Sequence, residues 1–469
     1  GLYNFFNANL FSKAMTNKGQ GKSQEVSKSV ILVTLEPVSK VMAGPAIRCL
    51  ELGKQLASHM DVTLATPVAC GKDQELSPPC DRLTIATGMS RTRLYHEAAK
   101  HDIIVFQSNV LKPFPKLADL GKYLVVDLYD PYLFAVLVQY KDDPIAASSS
   151  YRLMHKILER HMEVADFSIC ASEVQRDYWL GRYCAIGRLN PEMYRFDPSL
   201  RKLIDVVPFG LSSQEPERTG LGIRGKLGSP GDDEKILIWG GGIWDWFDPL
   251  TVIEAVGRVK ERVPGVKLYF MGWKSPNPKV EVMSMARQAK ALAEKLGLID
   301  KHVFFGQDWV PYEKRVNYLL DADIAVSAHF DLPETRYSFR TRILDYLWTG
   351  LPVLSTGGDP LSIEIEQQGA GIALACKSVP DWEQAIEKLC TDDELLARFK
   401  QASRQLSREY RWEKTSLALV QYCLAPYHLP DLKKVTMPNL LERAQAVYAR
   451  GGKDLVIKRS KEIITNLFQ

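Results

Sequence analysis

The sequence contains no run of eighteen uncharged apolar residues, which argues against a membrane-spanning helix. It has eight cysteines (Cys49, Cys70, Cys80, Cys170, Cys184, Cys376, Cys390 and Cys423) but no CxxC pair. A zinc knuckle and a dithiol redox couple are therefore not signalled, and the expectation is reduced, buried thiols in a cytosolic protein. Net charge is small: 60 Lys and Arg face 56 Asp and Glu, leaving +4. That excess is too weak to neutralise a long phosphate backbone, so nucleic acid is not an expected partner. Apolar residues are not scarce, at 46% of the chain, which excludes disordered and collagen-like classes for these 469 residues. There is no Walker-type phosphate loop and no complete GxGxxG, since GGGIWDW at 240–246 lacks the third glycine.

What is present is a strand–helix rhythm played twice. Residues 1–29 read as a polar lead-in, poorly ordered or added at cloning, because Lys, Ser, Asn and Gln dominate them. From Val30 short runs rich in β-branched residues recur: SVILVTL, DVTLATP, DIIVFQS, YLVVDLY, DFSICAS and DVVPFGL. Between them, 44–59 and 151–165 carry apolar residues at helical spacing. This predicts an α/β domain over 30–211 with a parallel sheet. Residues 212–233, crowded with Gly, Pro and charge, predict a linker. The rhythm restarts over 234–411: strands at KILIWGGG, VKLYFMG, HVFFGQ, DIAVSAH and LPVLSTGGD, with helices at 249–262, 283–298, 341–350 and 381–407. Residues 412–469 predict C-terminal helices, the first of them crossing back to the N-terminal domain. Ligands of open parallel sheets bind at the carboxyl ends of the strands, so a cleft between the two domains is the expected site.

The densest local signal is ETRYSFRTRILDYLWTGLPVLSTGGD, 334–359, with Arg336, Arg340 and Arg342 on a loop entering a helix. Guanidinium groups beside the free N–H groups of a helix start suit a diphosphate. This stretch resembles the donor-binding signature of family 4 glycosyltransferases, retaining enzymes of the two-domain GT-B fold. Their pattern is a Glu, Gly-Phe-Gly-Leu, a second Glu eight residues after the first, then a small residue, Gly and Pro-Val. Leu344-Asp345-Tyr346-Leu347-Trp348-Thr349-Gly350-Leu351-Pro352-Val353 matches the second part, with Asp345 in place of the second Glu. Ser338, Phe339, Arg340 and Thr341 stand on the Gly-Phe-Gly-Leu positions, and Tyr337 stands where the first Glu would be, with Glu334 the nearest acid.

The resemblance implies a nucleotide-sugar donor, a UDP-sugar above all, with no metal and no further cofactor. It assigns Asp345 to the ribose, and Ser338, Phe339, Arg340 and Thr341 to the diphosphate. Glu334 or Tyr337 would meet the donor sugar. IWGGGIWDWFDPLTVIEAV, 238–256, resembles the family's Gly-Arg…Lys-Gly segment, but Gly242 and Asp248 occupy the two cationic positions. A buried diphosphate needs compensating charge. Arg336, Arg340 or Arg342 is therefore expected to supply it, beside Gly241 and Gly242, with Trp244 lining the cleft. Met42-Ala43-Gly44-Pro45-Ala46-Ile47-Arg48 resembles the front loop, and Gly44 is the position carried over toward donor phosphate. Arg48 is expected at the surface, in an ion pair. VVDLYDP resembles the strand end near the transferred sugar. There Asp130 takes an acid–base or acceptor-orienting role together with Arg340, and Asp127 lies near sugar or acceptor. Val310, in the segment that resembles the base reader, is expected at the nucleobase. Asp321-Ala322-Asp323 spells a metal motif but precedes a strand and reads as a structural turn.

The function implied is transfer of a hexose to a hydroxyl of a glycan or lipid-linked acceptor, in polysaccharide or glycolipid synthesis, in the cytoplasm or at the inner face of the membrane. The alternatives are a catalytically inactive GT-B scaffold and, further off, a dinucleotide-dependent oxidoreductase. The latter wants an acid after the next strand, which ends at Met271-Gly272 without one. The tail, 431–469, holds eight Lys or Arg against four acids. Its apolar residues at helical spacing predict at most weak, salt-sensitive contact with an anionic membrane.

Overall fold

The computed structural model describes residues 28–431 apart from positions 41, 108, 141–142, 226, 228–233, 274–281 and 307–309, together with residue 448 and residues 452–458. The tail expected to touch membrane lies almost wholly outside the described residues. No helix among the described residues is long and apolar enough to cross a membrane.

Two parallel sheets follow one another. The first contains β1 (Ser29–Val33), β2 (Asp61–Ala65), β3 (Leu83–Ala86), β4 (Ile103–Gln107), β5 (Tyr123–Asp127), β6 (Phe167–Cys170) and β7 (Ile204–Val206), in the order β3-β2-β1-β4-β5-β6-β7. The second contains β8 (Lys235–Trp239), β9 (Val266–Phe270), β10 (Val303–Phe305), β11 (Ile324–Ser327), β12 (Val353–Thr356) and β13 (Gly371–Leu374), in the order β10-β9-β8-β11-β12-β13. Each sheet reverses direction of growth beside its first strand. That switch point opens a crevice at the strand ends in both domains. Burial on both faces explains the uninterrupted apolar runs: Val30–Val33 and Ile236–Trp239 are almost wholly enclosed.

Helices stop where their sequences say they should. Pro45 occupies the first turn of the helix Gly44–Ala57. Asp143 caps Pro144–Val164 by accepting from the Ala146 N–H. Thr341–Trp348 ends before Gly350, whose φ of +71° suits glycine. β3, β13 and the helices Arg91–Lys100, Tyr132–Gln139 and Glu173–Ala185 are additions to the sequence reading. The strand expected over 205–211 is only β7, because its chain leaves the sheet at Val207 to meet the C-terminal helices.

The segment 212–225 is laid on the second domain. The Asn317 carboxamide oxygen accepts from the N–H groups of Thr219 and Gly220 at 2.7 and 3.0 Å. Asp321 accepts from the Arg224 N–H and pairs with Arg218 at 2.6 Å. Asp323 pairs with Arg224. The Asp-Ala-Asp spelling is thus consumed by arginines. Past the second sheet the chain returns: the Leu211 N–H donates to the Tyr410 carbonyl at 2.7 Å, and the Trp412 N–H donates back to Leu211 at 3.0 Å. Trp412 packs against Phe209 at 5.0 Å between ring centres, and Tyr422 stacks on Phe167 at 4.7 Å. One buried cluster runs from Leu50 through Phe209 and Trp412 to Ile343 and Leu347, so the two domains share apolar packing.

All eight cysteines are free. Cys49, Cys170, Cys390 and Cys423 are buried as expected, but Cys80 and Cys184 are exposed.

Candidate active site

The crevice is floored by the turn after β8. The Gly240 N–H donates to the Tyr346 hydroxyl at 2.8 Å, which itself donates to the Val326 carbonyl at 3.1 Å. A Cβ on Gly240 would sit 3.0 Å from the Tyr346 ring, and Gly241 has φ +87°. The turn therefore needs glycine at 241 and tolerates little else at 240. Facing it across the crevice is Met42-Ala43-Gly44 of the first domain. Between them lies a cavity of ≈ 260 Å³ lined also by Val310, Arg315, Thr341, Arg342 and Asp345. A second cavity of ≈ 350 Å³ adjoins it, lined by Tyr129, Asp130, Ala135, Trp246, Glu334 and Arg340 among others. Ala43, Gly44, Trp244, Thr341 and Arg342 border both.

The three arginines part company. Arg336 is exposed on the short helix Pro333–Tyr337 and lines neither cavity. Arg340 is buried, and its two terminal nitrogens bind the two carboxylate oxygens of Glu334 at 3.1 and 2.8 Å. The Ser338 hydroxyl also donates to that carboxylate. Glu334, Ser338 and Arg340 thus form a closed cluster on the wall of the larger cavity. Arg342 is different. Its Nη2 donates to the Gly242 carbonyl at 2.9 Å, and its guanidinium lies over the Phe247 ring at 4.0 Å. Its Nη1 is buried and, among the described residues, has no partner. Burial, reinforced by the nearby positive charge of Arg340, pushes its pKa down to about 10. Among the described residues no carboxylate offsets it. The helix Thr341–Trp348 starts without a side-chain cap at the same border. Its first N–H groups and Arg342 converge where the two cavities meet.

Asp345 lines the smaller cavity, and Arg315 fixes its carboxylate through Nε and Nη2 at 3.1 and 3.0 Å. Val310 lines the same cavity, while Gln307–Trp309 lie outside the described residues. Trp244 stacks on Trp246 with ring centres 5.7 Å apart and planes within 9°. Phe339 borders the larger cavity with its ring packed toward Tyr410 at 6.2 Å.

On the first domain Asp130 is exposed toward the cavity it lines. Partial enclosure by surrounding atoms, then the nearby Glu334, pushes its carboxyl up to about 6 against the opposing pull of Arg340, with Asp127 adding to the rise. Three expectations differ from what the folded chain shows. Asp127, expected near sugar or acceptor, lines neither cavity: Arg48 takes both its oxygens at 2.7 and 3.1 Å. Arg48, expected at the surface, is fully buried and also donates to the carbonyls of Val207 and Pro208. The pair ties the end of β5 to the chain after β7. Tyr337 also stays out of both cavities, its ring stacked on Phe134 at 5.3 Å and tilted against Tyr178 at 5.0 Å. Gln175, which sequence reasoning missed, donates through Nε2 to the carbonyls of Tyr129 and Tyr337, both at 2.8 Å, bridging the domains beside the site. Asp248, on the position of the family lysine, is buried and caps the helix Pro249–Val259.

Residues 223–406 match the family model described as Glycosyl transferases group 1. Among curated proteins, the chain is 24% identical over 233 residues to a D-inositol 3-phosphate glycosyltransferase of Stackebrandtia nassauensis, covering 48% of each. It is 24% identical over 205 residues to one named alike from Corynebacterium urealyticum, 44% of this chain and 46% of that. The chain thus spans about half the length of the curated relatives it matches. Similar solved structures include sucrose-phosphate synthase from Thermosynechococcus elongatus, with TM-score 0.59 at 17% identity over 84% of this chain and 98% of that. Anabaena HepE in complex with UDP-glucose is similar with TM-score 0.58 at 13% identity over 85% and 100%. The two facing parallel-sheet domains are a GT-B fold, and the stretch of it over residues 223–406 is what resembles the glycosyl transferases group 1 family.

Proposed function

We propose that the protein is a retaining, family 4 type glycosyltransferase that moves a hexose from a nucleoside-diphosphate sugar to an acceptor hydroxyl. The observation that carries this reading is Arg342: a guanidinium that, among the described residues, has a buried, unpartnered nitrogen and no carboxylate, beside glycine backbone and an uncapped helix start. An enclosed cation of that kind is stabilised by an anionic ligand. UDP-glucose is the first donor to try, since HepE was solved in complex with it.

In this reading the base lies near Val310, the ribose hydroxyls bind Asp345, and the diphosphate spans Gly241, Gly242, the N–H groups at Thr341 and the side chain of Arg342. The sugar enters the larger cavity, where Glu334, positioned by Arg340 and Ser338, accepts from its hydroxyls. The bond between the anomeric carbon and the diphosphate oxygen breaks. The acceptor oxygen bonds to that carbon on the same face, and its proton passes to the departing diphosphate. Arg342 and the helix start stabilise the charge that develops there. Asp130 orients the acceptor hydroxyl. The acceptor in this reading is a glycan or a lipid-linked glycan of polysaccharide or glycolipid synthesis, and the cytoplasmic face of a membrane would supply the latter.

Incubating purified protein with a panel of nucleotide sugars and measuring free nucleoside diphosphate tests the proposal. Release from one donor, abolished in folded Arg342→Ala protein, is expected. Tight nucleotide binding with no release from any donor would favour the inactive scaffold.

A further inference from the structure

We infer that the ≈ 350 Å³ cavity, beside the donor sugar held at Glu334, holds an acceptor subsite for an uncharged glycan, with a pyranose against the paired indoles of Trp244 and Trp246 and a hydroxyl on Asp130, and that it discriminates against phosphorylated acceptors. This deepens the proposed transfer and rests on it. Among the described residues, four charged side chains border the cavity: Asp130, Glu334, Arg340 and Arg342. Arg340 is neutralised by Glu334 at 2.8 Å. Arg342 is anchored on Gly242, at the border with the smaller cavity, where the diphosphate is placed. Behind the wall, Asp127 is closed by Arg48. The charge left facing an acceptor is the Asp130 carboxylate. A phosphate seated there would meet like charge in a partly dry space, where repulsion is stronger than in water.

The rest of the lining suits a neutral sugar. The indoles of Trp244 and Trp246 lie nearly parallel, and both are only partly buried. They offer an apolar face to the C–H side of a pyranose, and Ala135 lies across from them on the first domain. Arg340 is 6% exposed and its Nε, buried on this wall, has no partner among the described residues. Polar groups placed around an apolar platform fix the orientation of a polyol while leaving its charge at zero.

The test uses the full chain and its donor, with myo-inositol, methyl α-glucopyranoside and maltose as uncharged probes. D-inositol 3-phosphate, which names the curated relatives, is the charged one. Nucleoside-diphosphate release and tryptophan fluorescence are read for each, and UDP affinity is measured on the same protein. The expected result is at least tenfold greater stimulation by an uncharged probe than by the phosphorylated one, with quenching by the former. Trp246→Ala should raise the acceptor KM about tenfold, with UDP affinity kept. Asp130→Asn should narrow the preference for the uncharged probe. Equal or better stimulation by D-inositol 3-phosphate would overturn the inference. So would the absence of both stimulation and quenching by every uncharged probe. Because UDP binding is measured alongside, retained UDP affinity with either outcome sinks the acceptor assignment alone, whereas lost UDP affinity sinks the donor reading beneath it.

Discussion

Among the arginines of 336–342, chemistry is set by what each one already holds. Arg340 is spent on Glu334, so Arg340→Ala leaves a buried carboxylate without its partner. It should destabilise the fold by about 3–5 kcal/mol, seen as a lower denaturant midpoint. Arg342→Ala removes a cation that has no carboxylate to strand. Its expected effect is on ligand: UDP affinity should drop roughly ten- to a hundred-fold, the range of a charge-assisted contact, with the denaturant midpoint nearly kept. Arg336→Ala should change neither. The sequence showed the cluster and the need for compensating charge. It did not show which guanidinium is free, because pairing is decided by side chains brought together only in the folded chain. Asp127 teaches the same lesson, since its partner Arg48 is 79 residues away and fully buried. Asp130 adds a pH signature. Enclosure first, then Glu334 and Asp127, raise its carboxyl while Arg340 opposes, to a value of about 6. It is ionised only above that value, so acceptor binding should be present above pH 6 and fade as pH falls through it. A rise in acceptor KM below pH 6 that Asp130→Asn does not remove would assign the titration elsewhere.

At the level of elements, the long apolar strands were legible because both faces of a parallel strand are buried and the run needs no alternation. β3 and β13 are four residues each at or near sheet edges, with too few apolar positions to stand out. The helix Glu173–Ala185 carries Arg and Tyr through its buried face and so lacks a clear apolar stripe. Gly44 is an informative position. A Cβ there would meet only the Tyr129 hydroxyl, at 3.9 Å, and the residue is helical, so the fold does not require glycine. Gly44→Ala should therefore keep its thermal midpoint yet lower donor turnover, because the added methyl narrows the border shared by both cavities. Gly241→Ala should behave otherwise, losing about 1–2 kcal/mol through its positive φ. A thermal midpoint for Gly44→Ala as low as that of Gly241→Ala would contradict the distinction.

Across the whole molecule, the double strand–helix rhythm announced two sheets, but the seams between them were not visible in it. The expected linker 212–233 is, over 212–225, a strap pinned by Asn317, Asp321 and Asp323. Glycine and charge marked it as irregular without saying what it lies on. The return of the chain at Leu211 and Trp412, and the Gln175 bridge to Tyr337, hold the crevice that places Arg342 opposite Gly44. That arrangement is the central claim: a donor diphosphate at the border of two cavities, its charge countered by one guanidinium and a helix start. The most direct test is nucleoside-diphosphate release from UDP-glucose and a panel of other nucleotide sugars, comparing the parent protein with Arg342→Ala and Arg342→Lys. The account predicts release by the parent from at least one donor, its loss in Arg342→Ala and partial recovery in Arg342→Lys. Undiminished release by folded Arg342→Ala would contradict it.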